Sequence, residues 1–149
     1  MSLKLSVESE IKKAMLAKDK DRLRALRAIK SLIMLEETKG GAAESLSEDE
    51  EMKLLTKAAK QRRDSADIYK EQGREDLLAV ELAELEIISE FLPKQLTEEE
   101  LEVELKKIIA EAGAEGPKDM GKVMGLASKA LAGKADGKAI SMKVKSLLA

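Results

Sequence analysis

The chain has 149 residues, 44% of them hydrophobic and 38% charged, with a formal net charge of −2. That is room for one domain or two small ones, and the charges are spaced periodically rather than in the blocks of a disordered tract. The absence of cysteine and histidine excludes disulfides, thiolate and imidazole metal sites, cysteine nucleophiles and the usual general base.

Tyr69 and Phe91 are the only aromatic residues, so the core must be aliphatic. No Val/Ile/Thr/Tyr-rich run reads as a strand, and the predicted class is all-α. The opening MSLKLSVESEIKK has no apolar h-region and no cleavage site. No apolar run approaches the roughly 20 residues that span a bilayer, so the expectation is a cytoplasmic protein with no membrane partner.

In chain order, the spacing predicts a first helix over residues 3–17, with Leu3, Val7, Ile11, Ala14 and Met15 inward. Asp19 or Asp21 caps a second helix reaching about residue 39, buried through Leu26, Ile29, Ile33 and parts of Leu23 and Leu32. Gly40 and Gly41 stop it, and residues 40–46 form a loop. Ser47 and Glu50 have capping-box spacing, with Glu48, Asp49, Glu50 and Glu51 at the positive end of the helix dipole. The third helix then runs inward through Met52, Leu55, Ala59, Ala66 and Tyr69 to a left-handed stop at Gly73. A fourth, over residues 74–91, presents Leu78, Leu82, Leu85 and Ile87 or Ile88, and Pro93 marks a boundary.

Beyond it the start signals recur. Thr97 and Glu100 form a second capping box, flanked by Leu96 and Leu101 at staple spacing. Three short helices follow: one burying Leu101, Leu105, Ile108, Ile109 and Ala112 and ending at Gly113; one over residues 118–131 with Met120, Val123, Met124, Ala127 and Leu131 inward; and a last one carrying Ile140, Val144, Leu147 and Leu148 after an Asp136–Gly137 turn. The predicted domains are residues 1–92, with four helices, and 93–149, with three.

Several stretches carry a family pattern: LRAIK at 26–30, KQRRDS at 60–65, GREDL at 73–77, EFLPKQLTEEEL at 90–101, DMGKVMG at 119–125 and GKADGK at 133–138. The last two together are fairly specific. In them the chain resembles the GatB/YqeY group, and nearly its whole length looks like a YqeY-family protein. The resemblance implies a four-helix bundle followed by a three-helix bundle. It also implies that the carboxy-terminal part is similar to the tail domain of the B subunit of the tRNA-dependent amidotransferase. That enzyme converts glutamate or aspartate misloaded on tRNA into the amide. There the tail contacts tRNA, while the amidating and glutaminase sites lie in other parts of the enzyme. The family's label of carbon–nitrogen ligase with glutamine as amido donor is read as inherited from that enzyme.

The charge distribution gives the first candidate site. From residue 116 to residue 149 there are seven lysines and two aspartates, a net +5. Lys118, Lys122, Lys129, Lys134, Lys138, Lys143 and Lys145 either contact RNA phosphates, giving salt-sensitive and weakly specific affinity, or form a solvated surface. No arginine follows Arg74, so bidentate recognition is not expected. Gly121 and Gly125 share a helix face that admits close approach by a helix or a phosphate, with helix packing the stronger reading, while Gly133 and Gly137 end one helix and start the next. The G-K-[ST] of a Walker loop is missing.

Arg62, Arg63, Tyr69, Arg74 and Asp76 form a second patch, read as an anion site or, preferably, as an ion-pair network locking the turn between the third and fourth helices. Glu81, Glu84, Glu86 and Glu90 read as a solvated acidic face, since a two-metal site adds Glu-x-x-His pairs. Ser65, Ser128 and Ser141 have no activating histidine. No catalytic residue, metal or cofactor is assigned.

The resulting expectation is a non-catalytic accessory module whose small basic domain docks on tRNA or structured RNA, with a protein partner possible for the larger one. With so few aromatics, single-stranded RNA is disfavoured. Two alternatives stand: a protein-interaction adaptor without nucleic-acid affinity, and a component of a glutamine-dependent ligase.

Overall fold

The computed structural model describes residues 2–41 and 44–149. Among them there are seven α-helices and no strand. The middle of the expected 40–46 loop lies outside the described residues. The chain clusters into two compact units, Met1–Leu92 and Pro93–Ala149.

In the first unit α1 spans Leu3–Leu16 and is capped by the Ser2 hydroxyl, which accepts from the Leu5 N–H at 3.3 Å. It buries Leu3, Val7 and Ala14. Met15 was expected inward but is 54% exposed, because one residue advances a helix by about 100° and carries it off the stripe through Ala14. α2 (Lys20–Glu37) is capped by Asp19, which accepts from the Arg22 N–H at 3.1 Å. It ends before the glycines, where the Thr38 hydroxyl donates to the Met34 carbonyl at 2.9 Å.

α3 (Glu48–Glu71) opens on the expected capping box: the Glu50 N–H donates to the Ser47 hydroxyl and the Ser47 N–H to the Glu50 carboxylate. It buries Leu55, Ala58, Ala59 and Ala66, with Tyr69 only half-buried. Gly73 lies at φ +68°, and the Arg74 N–H returns to the Tyr69 carbonyl at 2.9 Å, which closes a Schellman-type stop. α4 (Glu75–Ser89) is shorter than predicted, and only Ile88 is fully buried. Leu82 is 48% exposed, a correction to the expected inward stripe. α4 is apolar on most of its circumference, so its periodicity does not say which side faces the core.

α1 packs chiefly on α2 and α3 on α4, whereas α2 and α3 meet at few positions. The core joins Leu3, Val7, Ile29, Ile33, Leu55, Ala59 and Ile88. At one end Arg22 bridges Glu10 at 3.0 Å and Glu90 at 2.7 Å, linking α1, α2 and the end of α4.

In the second unit α5 (Glu98–Ala112) starts with the Thr97–Glu100 capping box and stops at Gly113. α6 (Met120–Ala130) begins later than the predicted residue 118. Pro117–Asp119 instead form a 3₁₀ turn, closed by the Asp119 carboxylate, which accepts from the N–H of Glu115 at 2.9 Å and of Gly116 at 3.4 Å. α7 spans Gly137–Leu148. The core is Leu101, Leu105, Ile108, Val123, Ala127, Leu131, Ile140, Val144 and Leu148, with Leu96 packed against it. Gly133 is buried at φ +74°. It allows the chain to turn tightly there, and its carbonyl accepts from the Gln95 amide at 2.6 Å while the Lys134 carbonyl accepts from the Leu96 N–H at 2.9 Å. The lead-in to α5 is thereby fixed to the α6–α7 turn. Among the described residues no helix is long and apolar enough to cross a membrane.

Candidate nucleic-acid interface

The second unit is electrically divided. Residues 93–115 hold three lysines and seven glutamates, whereas residues 116–149 hold seven lysines and two aspartates. The acidic share lies mainly on α5 and the basic share on the 3₁₀ turn, α6 and α7. α6 buries Val123 and Ala127, so Lys122, Gly125 and Lys129 fall on its opposite face. α7 buries Ile140, Val144 and Leu148, so Lys138, Met142 and Lys145 fall on its outward face.

Lys118, Lys129, Lys134, Lys138 and Lys145 are exposed, and Lys143 is half-buried at the margin of the core. Among the described residues none of the seven lysines makes an ion pair. Lys122 has a structural duty: its ammonium donates to the Ala112 carbonyl at 3.0 Å and caps the carboxy-terminal end of α5. Asp119, at the start of α6, is held below the ordinary carboxylate range chiefly by the Glu115 N–H, with Lys118 and Lys122 adding to the effect. Gly121 and Gly125 are exposed, and a Cβ on either would meet nothing within 4 Å. This overturns the helix-packing reading of that pair. Gly133 and Gly137 do punctuate the helices, one buried in the turn and one at the first position of α7.

The arginine patch divides: Arg74 pairs with Asp76 at the α3–α4 turn, where its backbone N–H also returns to the Tyr69 carbonyl, whereas Arg62 pairs separately with α4. Arg62 turns to the middle of α4, with Nε 3.0 Å from Glu84 and Nη1 3.6 Å from Glu81. Both glutamates are largely buried, which corrects the reading of a solvated acidic face for these two, while Glu86 and Glu90 are exposed as expected. Arg62 Nε and Glu81 Oε2 have no well-directed hydrogen bond, so the attraction is mainly Coulombic. Arg74 closes on Asp76 with a two-pronged contact at 3.2 and 3.1 Å, exposed at the start of α4. It holds the Asp76 carboxyl below its ordinary range. Tyr69 is half-buried on α3, and Arg63 is half-buried with its contacts already made.

Two features escaped the sequence reading. The Glu10–Arg22–Glu90 bridge joins residues 12 and 68 positions apart, and no local spacing signals such a pairing. The open edge between α2 and α3 is a property of how helices pack, which their individual stripes do not encode.

Comparison with known proteins gives the chain its relatives. It is 40% identical over 87 residues to a protein of Clavispora lusitaniae named "Altered inheritance of mitochondria protein 41, mitochondrial", covering 58% of this chain and 49% of that one. It is 31% identical over 107 residues to the Saccharomyces cerevisiae protein of the same name, covering 69% and 56%. The Pyrenophora tritici-repentis protein of that name is 28% identical over 145 residues, covering 95% and 78%. The chain thus spans about half the length of the first two relatives, whose names place them in mitochondria. The family model described as "Yqey-like protein" matches residues 4–148, and the chain belongs to the YqeY family.

Proposed function

We propose that the chain is a non-catalytic accessory protein whose second unit docks on tRNA or another structured RNA. In this reading the units act as a four-helix bundle and a three-helix bundle, and the second resembles the amidotransferase tail in use as well as in sequence. The observation that carries it is the set of outward lysines on the 3₁₀ turn, α6 and α7, none ion-paired among the described residues. Beside them α6 exposes Gly121 and Gly125, where a phosphate backbone can approach without meeting a side chain. Lysine presents a point charge rather than a fork, so the affinity is electrostatic and shape-led with little base readout. The protein works in an aqueous compartment that holds tRNA, the cytoplasm or the interior of an organelle.

The test is fluorescence anisotropy of bulk labelled tRNA with the full-length protein. With about four phosphate contacts, a slope of about −0.9 per contact makes a fourfold rise in salt weaken binding by about a hundredfold. The triple variant Lys129→Glu, Lys138→Glu, Lys145→Glu should lose binding and flatten the salt dependence while keeping its helical circular dichroism. Gly125→Ala should weaken binding although it raises helix propensity. Binding by the triple variant equal to the parent's would refute the reading.

A further inference from the structure

We propose that the cleft between α2 and α3 is a docking groove for an acidic amphipathic helix of a partner protein. α1 rests on α2 and α4 on α3, and the α2–α3 edge is left thinly packed. A groove of about 350 Å³ opens there. Its floor is the buried Ala58 with the half-buried Leu32 and Leu54, and Leu35, 67% exposed, stands at its edge. On α3 the lining runs from Glu50 to Gln61, about 16 Å at 1.5 Å per residue, the length of three helical turns. An apolar trough of that length between two helices is the form that receives a third helix by residues at i, i+3/i+4 and i+7.

The charges select the occupant. Glu50 is committed to the Ser47 N–H at 2.7 Å, and Glu36 lies 3.9 Å from Lys39. Lys53 and Lys57, one turn apart on α3, make no ion pair among the described residues. Three lysines and two glutamates line the groove, a net charge of +1 beside an apolar floor. A helix with a leucine stripe flanked by glutamates complements both. An RNA would find no use for the floor, and a small molecule would stay open to water along its length. The groove belongs to the first unit and does not depend on the RNA reading.

The experiment uses the full-length protein and three fluorescein-labelled 18-residue synthetic peptides: one with leucines at helical spacing and glutamates elsewhere, one with lysines replacing the glutamates, and a scramble of the first. The acidic helix should bind at least tenfold more tightly than either control. Leu35→Glu should weaken it at least tenfold, and the exposure of that side chain leaves folding intact. Lys53→Glu with Lys57→Glu should reverse the preference toward the lysine peptide, a gain that unfolding cannot mimic. Lys129→Glu should leave peptide binding unchanged. Equal binding of all three peptides, or none, overturns the proposal. So does displacement of the peptide by tRNA, or a concentration-dependent dimer abolished by Leu35→Glu, which would give the groove to RNA or to a second copy.

Discussion

The turn between α1 and α2 passes through Lys18 at φ +57°, the one described residue other than glycine with a positive φ. The Asp19 N–H returns to the Ala14 carbonyl at 3.0 Å and the Lys18 N–H to Met15 at 3.2 Å, the same stop that Gly73 makes after α3. A side chain in the left-handed region costs about 1–2 kcal/mol, and glycine gives back part of that through a more flexible unfolded chain. Lys18→Gly is therefore expected to stabilise the protein by about 0.5–1 kcal/mol, seen as a higher urea midpoint at unchanged slope. A lower midpoint would mean that the lysine side chain contributes more than its backbone conformation costs. No sequence rule marks Lys18 as left-handed, whereas Gly73 was legible, because glycine is the residue that adopts that conformation without penalty.

At the level of elements, the helix ends set the response to acid. Glu50 is held below its ordinary range chiefly by the Ser47 N–H, Glu10 by Arg22 and then Lys13, Asp76 by Arg74, and Asp119 by the Glu115 N–H. A carboxylate lowered in the folded state adds stability that is full above its unfolded value, 4.5 for glutamate and 3.8 for aspartate. That stability is lost as pH falls through the folded value. With no histidine in the chain, no ordinary side chain titrates between about pH 5 and pH 8. The urea midpoint is expected to be flat from pH 6 to pH 8 and to fall below about pH 4.5. In Arg22→Met that acid limb should be shallower, because the largest cause of the Glu10 shift is gone. A midpoint that moves across the neutral range would contradict this account. The capping boxes at Ser47 and Thr97 were readable because they are local, four residues long and chemically specific.

For the whole molecule, each core is assembled from one unit's residues alone. Leu105 is fully buried in the second, and Leu105→Ala should cost that unit about 3 kcal/mol. Native-state hydrogen exchange is expected to show faster opening across residues 93–149, with protection in α2 and α3 retained. An equal loss in both units would make the chain one cooperative body. The described helices were legible because each carries its own apolar stripe, and α1, α2, α3 and α5 open on a side-chain cap. The candidate lysines were legible as residues, and their outward placement followed from the buried stripes of α6 and α7.

What the sequence by itself determined is what local chemistry determines: the helices of the described residues, their polar ends, an aliphatic core, the basic tail and the family pattern. Only the tertiary structure decided which side of the apolar α4 faces inward, that Arg62 spends its charge on Glu81 and Glu84, that Arg22 bridges Glu10 and Glu90, that Gly121 and Gly125 face open space, and that a groove remains between α2 and α3. The physical reason is range. Caps and stripes are written within a few residues by helical geometry. Ion pairs between helices and gaps between them depend on how ridges and grooves of distant segments meet, which no single helix specifies.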